Sequence, residues 1–218
     1  MNIYTVMPFI IFLGYIPLTV ISLWGTPKKQ RALFHWYIFA SLAWSISSIL
    51  LNCDYLVSHK LAFCKLNITT FIWVAVQFYA FSRSYGRGSY IWYMGGAYIL
   101  LILIIILAIL DFIPQSMVIN GGASYSIGIW LIVLFVCLAA LAAENFRAQL
   151  LAFKKSLEPI ERKQNIFMMI GIGIMFLFSI PTGFVALSHL PIGHVGNFIV
   201  ASLWAYVLVG SRSHITQG

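Results

Sequence analysis

The sequence predicts an all-α fold, namely a polytopic membrane bundle of seven transmembrane helices with its N-terminus outside and its C-terminus in the cytoplasm. Three observations support this prediction. Hydrophobic residues make up 61% of the 218 residues and charged residues only 8%, whereas a soluble domain carries about 25% charged residues. The apolar residues form long blocks, and a helix needs roughly 20 such residues to cross a hydrocarbon core. The basic residues lie mainly between these blocks.

The apolar blocks predict helices at 3–23, 34–53, 62–82, 90–111, 125–146, 165–187 and 191–210. Because the connections are short, each helix is expected to pack antiparallel to the one before it. The chain then consists of one transmembrane domain, residues 1–210, followed by a short cytoplasmic tail, residues 211–218. The uncharged connection 112–124 is expected either to fold back as a lid or to lie among the lipid headgroups.

The orientation follows from the distribution of Lys and Arg, which accumulate on the cytoplasmic side of a membrane. One side of the predicted bundle receives only Lys60 and Lys65. The other side receives eleven basic residues: Lys28, Lys29, Arg31, Arg83, Arg87, Arg147, Lys154, Lys155, Arg162, Lys163 and Arg212. This bias places Met1 outside and predicts a multi-pass protein of the cell membrane, the inner or cytoplasmic membrane. The basic residues behind the net charge of +8 are therefore explained by membrane topology. Membrane lipids are expected as partners, and nucleic acid is not.

Two of the three cysteines, Cys53 and Cys64, flank a ten-residue connection on the predicted outer side. An oxidising compartment permits a disulfide there, and adjacent helix ends can bring two α-carbons within the roughly 4.4 to 6.8 Å that the bond requires. The alternative is two free thiols that pack as small hydrophobic side chains. The sequence leaves both alternatives open.

Ionisable residues in the middle of a membrane usually mark relays, pumps or ligand sites, and the predicted spans contain almost none. The seventh helix has no lysine for a retinal Schiff base, and the five histidines are scattered. We therefore expect no catalytic residues, no metal, no cofactor and no enzymatic activity.

Uncharged polar and amphipathic side chains remain as candidates for ligand contact. Asn67, Thr70, Trp73 and Gln77 recur every three or four residues, which places them on one stripe of the third helix. The complete candidate set is Trp44, Asn67, Thr70, Trp73, Gln77, Thr182, His194 and Asn197. Such side chains can equally serve as interhelical hydrogen bonds. Pro181 in the sixth helix predicts a kink, which is either a hinge or a fixed bend.

Three segments resemble the seven-helix N-terminal sensor region of bacterial and archaeal histidine kinases. The first comprises Trp73, Phe78 and Tyr79 before the turn Arg83 to Arg87, the second Pro159, Arg162, Lys163 and Gln164 before Gly171, and the third Pro191-Ile192, Gly196-Asn197 and Ala205-Tyr206. The chain departs from that family where Thr70 and Phe71 replace the proline that often precedes the helix 3 Trp.

The resemblance implies a membrane sensor or receptor module that binds a small, largely uncharged ligand from the outer side. It would signal through helices 6 and 7 to a cytoplasmic signalling domain or partner protein. Since the chain ends at Gly218, it is expected to be either part of a longer sensor or a stand-alone bundle. The alternatives are a structural or assembly subunit of a larger membrane complex and, with less support, a small seven-helix transporter.

Overall fold

A computed structural model describes residues 3–23, 28–53, 58–85, 90–114, 117–119, 123–125, 128–183 and 191–210. These residues form seven α-helices and one short β-hairpin. The helices are α1 Ile3–Ser22, α2 Lys28–Leu51, α3 Lys60–Arg83, α4 Tyr90–Ile109, α5 Ile129–Lys155, α6 Pro159–Gly183 and α7 Ile192–Gly210. The predicted all-α fold with seven helices is therefore confirmed for the described residues.

Four helices in the described part of the chain are long and apolar enough to cross a membrane by length and composition, at Thr5–Ser22, Lys29–Leu51, Lys60–Arg83 and Ile132–Lys155. Shorter apolar segments lie at Met94–Ile109 in α4 and Ile192–Leu208 in α7. The chain is therefore a multi-pass membrane protein.

Three helices extend further than the apolar blocks predict. Helix α2 begins at Lys28 instead of residue 34, α5 begins at Ile129 and ends at Lys155 instead of running over 125–146, and α6 begins at Pro159 instead of residue 165. The reason is that Lys, Arg, Gln and Glu favour helix as strongly as Leu does, so a helix continues beyond its apolar part. Pro159 is suited to the first position of a helix because its fixed φ and missing N–H cost nothing there.

The connection between α5 and α6 is consequently a tight turn and not a basic loop. The Ser156 N–H and hydroxyl both donate to the Ala152 carbonyl, at 2.9 Å and 2.7 Å, which satisfies a carbonyl of the last turn of α5. The Asn165 side-chain amide donates to the Ser156 hydroxyl at 3.2 Å. These bonds fix the angle at which α6 leaves α5.

Helix α4 ends in a left-handed residue, Asp111, with φ of 63°. The Phe112 N–H donates to the Leu107 carbonyl at 2.9 Å and the Asp111 N–H to the Ala108 carbonyl at 3.4 Å, the pattern of a Schellman motif. The Asp111 carboxylate also forms an ion pair with Lys65 at the start of α3. In the following segment, Met117–Ile119 pairs with Ala123–Tyr125 as an antiparallel hairpin.

Helices α2 and α3 form the centre of the bundle. About half of the apolar window of α2 is buried (50%) and nearly as much of α3 (44%), against 22% for both α1 and α5. Helix α7 packs against α1, α2 and α6, so the last helix of the chain lies next to the first. The largest core cluster joins α1, α2, α3, α6 and α7 around the fully buried Trp204.

Cys53 and Cys64 are free thiols in the structure, as is Cys137. Cys64 is fully buried and packs with apolar residues, whereas Cys53 is partly exposed. The possible pairing of Cys53 with Cys64 stays a prediction, which alkylation can test.

We therefore expect alkylation of the denatured, unreduced protein to modify all three cysteines, with the same mass gain after treatment with reductant. In the folded protein, Cys53 should react before Cys64 because only Cys53 is partly exposed. A mass that is larger by two alkyl groups only after reduction would show that a disulfide forms.

Candidate ligand-binding site

A ring stack between α2 and α7 joins two of the residues that the sequence selected. The Trp44 and His194 ring centroids lie 3.8 Å apart with an interplanar angle of 24°. Both side chains are buried, at 5% and 4% exposure. Phe71 of α3 lies on Trp44 with a centroid distance of 5.1 Å. Three helices therefore meet at this stack.

Ser47, one helical turn after Trp44 on α2, contacts two polar side chains of α3. The Ser47 and Thr70 hydroxyl oxygens are 2.9 Å apart, and the Asn67 amide donates to the Ser47 oxygen at 3.3 Å. The Ser47 hydroxyl also lies 2.8 Å from the Trp44 carbonyl. We call Trp44, Ser47, Asn67, Thr70 and His194 the Trp44 cluster.

The His194 ring is the one member of the Trp44 cluster with an unsatisfied buried atom. Its Nδ1 is buried and has no hydrogen-bond partner among the residues that the structure describes. An unpaired buried ring nitrogen costs about 1 to 3 kcal/mol relative to a paired one. The Trp44 cluster therefore combines stacked aromatic rings, nearby hydroxyls and an unused hydrogen-bonding atom.

Asn197 lies one turn after His194 and has a different environment. Its side-chain N–H groups donate to the Tyr15 hydroxyl at 2.8 Å and the Ser41 hydroxyl at 2.9 Å. The Tyr37 hydroxyl donates to its side-chain oxygen and lies 3.2 Å from its carbonyl oxygen. All four side chains are fully buried. We call Tyr15, Tyr37, Ser41 and Asn197 the Asn197 cluster; its amide is fully engaged by α1 and α2.

The remaining residues of the predicted polar stripe do not converge on the Trp44 cluster. Gln77 is buried and its amide donates to the Tyr98 hydroxyl of α4 at 3.1 Å. The Trp73 ring is partly buried and packs edge-on against Phe39, with centroids 5.6 Å apart. The side chain of Thr182 lies outside the described residues, as does that of Pro181, although the α6 backbone continues to Gly183.

Sequence reasoning missed Ser47, Tyr15, Tyr37 and Ser41. A usable signal existed for Tyr15, because it falls in the middle of a predicted helix instead of at the interfacial positions that tyrosine favours. Tyr37 is near the start of the predicted second helix and gave no such signal. The signal was weaker for the serines, which are common in membrane helices as packing residues.

A second polar group, also missed, joins the ends of α3 and α5. Arg83 is buried at 4% exposure, and its guanidinium lies 3.9 Å from the Glu144 carboxylate. The buried Gln149 amide donates to the Ser82 carbonyl at 2.5 Å, and Asn145 donates to the Ser82 hydroxyl. Glu144 also forms an i, i+3 ion pair with Arg147, at 2.7 Å and 3.1 Å.

The chain is similar in structure to solved proteins but matches no known protein by sequence. No protein-family model and no curated protein sequence matches the chain. Among solved structures, squid rhodopsin is similar with a TM-score of 0.49 and 13% sequence identity, over 97% of this chain and 80% of its own.

We expect Asn197→Leu to destabilise the protein by about 2 to 3 kcal/mol, because it removes interhelical hydrogen bonds of about 0.6 to 1 kcal/mol each and leaves buried hydroxyls unpaired. Reversible unfolding in mixed micelles measures this loss. Ser202→Ala is the matched control, since Ser202 is on the same helix and donates only within it, to the Phe198 carbonyl at 2.9 Å. Equal stability of the two variants would show that the Asn197 cluster contributes little.

Proposed function

We propose that the protein is a non-enzymatic membrane sensor or receptor module that binds a small, largely uncharged ligand at the Trp44 cluster. The observation that supports this proposal most directly is His194, whose buried Nδ1 is unpaired while its ring stacks on Trp44. In the neighbouring Asn197 cluster the amide is fully bonded, so structural stability alone explains its polar residues. Stability does not explain the unpaired nitrogen of the Trp44 cluster.

The chemistry of the Trp44 cluster favours a neutral ligand. Its side chains are an indole, an imidazole, two hydroxyls and an amide, with no acidic or permanently charged group. Burying an unpaired ionic ligand beside them would cost several kcal/mol. A ligand with an apolar face and one hydrogen-bonding group fits these side chains.

The proposed orientation places the Trp44 cluster in the outer half of a seven-span bundle. Eleven of the thirteen basic residues fall on the side opposite Lys60 and Lys65, and α7 begins at Ile192 just before His194. With the N-terminus outside, α7 runs inward, and His194 is reached from the outer face of the cell membrane.

A ligand can change this bundle only if it binds two arrangements of the helices with different affinities. His194 is on α7, and α7 packs against α6, so the proposed response passes through α6 and α7 to a cytoplasmic domain or partner. The resemblance to histidine-kinase sensor regions agrees with this route.

We expect small neutral alcohols, amides or heteroaromatic compounds to raise the unfolding temperature of the purified protein. Stabilisation follows RT ln(1 + [L]/Kd), about 2.7 kcal/mol at a hundredfold excess over Kd. His194→Ala and Thr70→Val should abolish this ligand-dependent shift, whereas Gln77→Leu, on the same helix as Thr70 but bonded to α4, should keep it. Equal shifts in all three variants would mean that the Trp44 cluster is not the site.

The orientation has its own test. Cysteine introduced at Lys154 should react with an impermeant maleimide only in inverted or opened membrane vesicles, and cysteine at Lys65 should react in intact cells. The three native cysteines are replaced by alanine in this background. The reverse pattern would contradict the proposed topology.

A second candidate function is a structural or assembly subunit. The sparse burial of α5, 22% of its apolar window, favours it, because such a face can contact another subunit as readily as lipid. Purification in mild detergent distinguishes the two functions: a stable, defined complex would favour assembly, and a monodisperse protein without partners would count against it.

A further inference from the structure

Two glycine contacts join α6 and α7, in opposite directions. A methyl group on Gly171 of α6 would lie 2.6 Å from Nε1 and 3.0 Å from Cε2 of Trp204 of α7, and a methyl group on Gly196 of α7 would overlap the Phe178 ring of α6. Each helix therefore places a large ring where the other helix has no Cβ atom. We call these two pairs, Gly171 with Trp204 and Gly196 with Phe178, the glycine seam.

The two pairs belong to one antiparallel register. They are separated by seven residues on α6 and eight on α7, and the Phe167 and Tyr206 rings continue the same register with centroids 5.9 Å apart. Sliding by one residue would move a helix about 1.5 Å. Such a shift would drive Trp204 and Phe178 into neighbouring side chains, which a densely packed interior resists.

The other faces of α7 are also tightly held. A methyl group on Gly14 of α1 would lie 2.6 Å from the Phe198 ring. Trp204 stacks on Phe78 and packs on Phe81 of α3, with centroid distances of 4.5 Å and 4.8 Å. Each of these three glycine contacts therefore has α7 as one of its two helices.

We infer that α6 and α7 are interlocked: the glycine seam fixes their register, so the two helices do not slide past each other and a displacement of α7 carries α6 with it. His194 lies two residues before Gly196, so a displacement at the Trp44 cluster reaches α6 through the seam and continues to the α5–α6 turn. The interlock is inferred from helix packing alone, whereas its role in signalling depends on the proposed function.

The first test compares three glycine variants in the full-length protein. Gly171→Ala and Gly196→Ala should lower the unfolding temperature by roughly 4 to 8 °C, because overpacking outweighs the higher helix propensity of alanine. Gly173→Ala is the matched control on α6, since a methyl group there meets no atom within 4 Å, and it should leave the unfolding temperature unchanged or raise it slightly. Equal effects of all three substitutions would overturn the interlock.

A double mutant isolates the contact itself. Gly196→Ala together with Phe178→Ala should be more stable than the sum of the single effects, because removing the ring removes the overlap. Additive effects would show that Gly196 and Phe178 act independently and would contradict the seam.

Cross-linking in native membranes tests the register. With the native cysteines replaced by alanine, cysteines at Phe167 and Tyr206 should cross-link faster than cysteines at Ile170 and Tyr206, which are displaced by one turn. Gly196→Ala should reduce this preference, and equal rates in the protein with its natural glycines would show that the helices slide.

Failure of the seam and failure of the proposed function are distinguishable, because the stability and cross-linking measurements use no ligand. An intact seam without any ligand-dependent stabilisation would contradict the receptor proposal alone. A downstream response that is unchanged by Gly196→Ala would contradict transmission through the seam.

Discussion

The hydrogen bonding of the Asn197 amide is the interaction on which the rest of the structure depends. A buried polar group in a lipid-surrounded bundle must find its partners inside the protein, because no water is available to replace them. Asn197 finds them in Tyr15 of α1 and in Tyr37 and Ser41 of α2. These bonds fix the rotation and depth of α7, and thereby the positions of His194 one turn before it and of the glycine seam on its other face.

The Trp44 cluster and the Asn197 cluster show how similar residues can have different roles. Both contain aromatic rings, hydroxyls and an amide, and both join α2 to α7 and to a third helix. In the Asn197 cluster the amide is bonded on all sides, so the cluster is explained by stability. In the Trp44 cluster the His194 Nδ1 is buried and unpaired among the described residues, a cost that binding of a ligand could offset. This difference, and not residue type, is why the receptor proposal rests on the Trp44 cluster.

Helix packing in a membrane lacks the hydrophobic driving force that assembles soluble proteins, so close contact and interhelical hydrogen bonds become decisive. The bundle uses both. Gly14, Gly171 and Gly196 admit rings at distances that a Cβ atom would prevent, while Asn197, Ser47 and Gln77 supply polar links between helices. The pair of buried Arg83 with partly exposed Glu144 adds an ionic link between α3 and α5. Helices α2, α3 and α7 are consequently the best-packed part of the molecule, and α1 and α5 present apolar faces outward.

The sequence by itself determined the all-α architecture, the seven helices and the membrane setting, because apolar block length and charge distribution are local properties that the bilayer imposes. It also selected Trp44, Asn67, Thr70 and His194, since polar residues inside apolar blocks are conspicuous. It could not determine that α2, α5 and α6 extend into polar segments, because helix propensity does not change at the membrane boundary. Only the tertiary structure decided that Gln77 bonds to α4, that Asn197 is saturated by two tyrosines and a serine, and that His194 stacks on Trp44. The contacts of Asn197 and His194 join helix faces across 150 or more residues of sequence, and the Gln77 bond joins two helices across 21. The helical periodicity of a single segment contains no information about its partner.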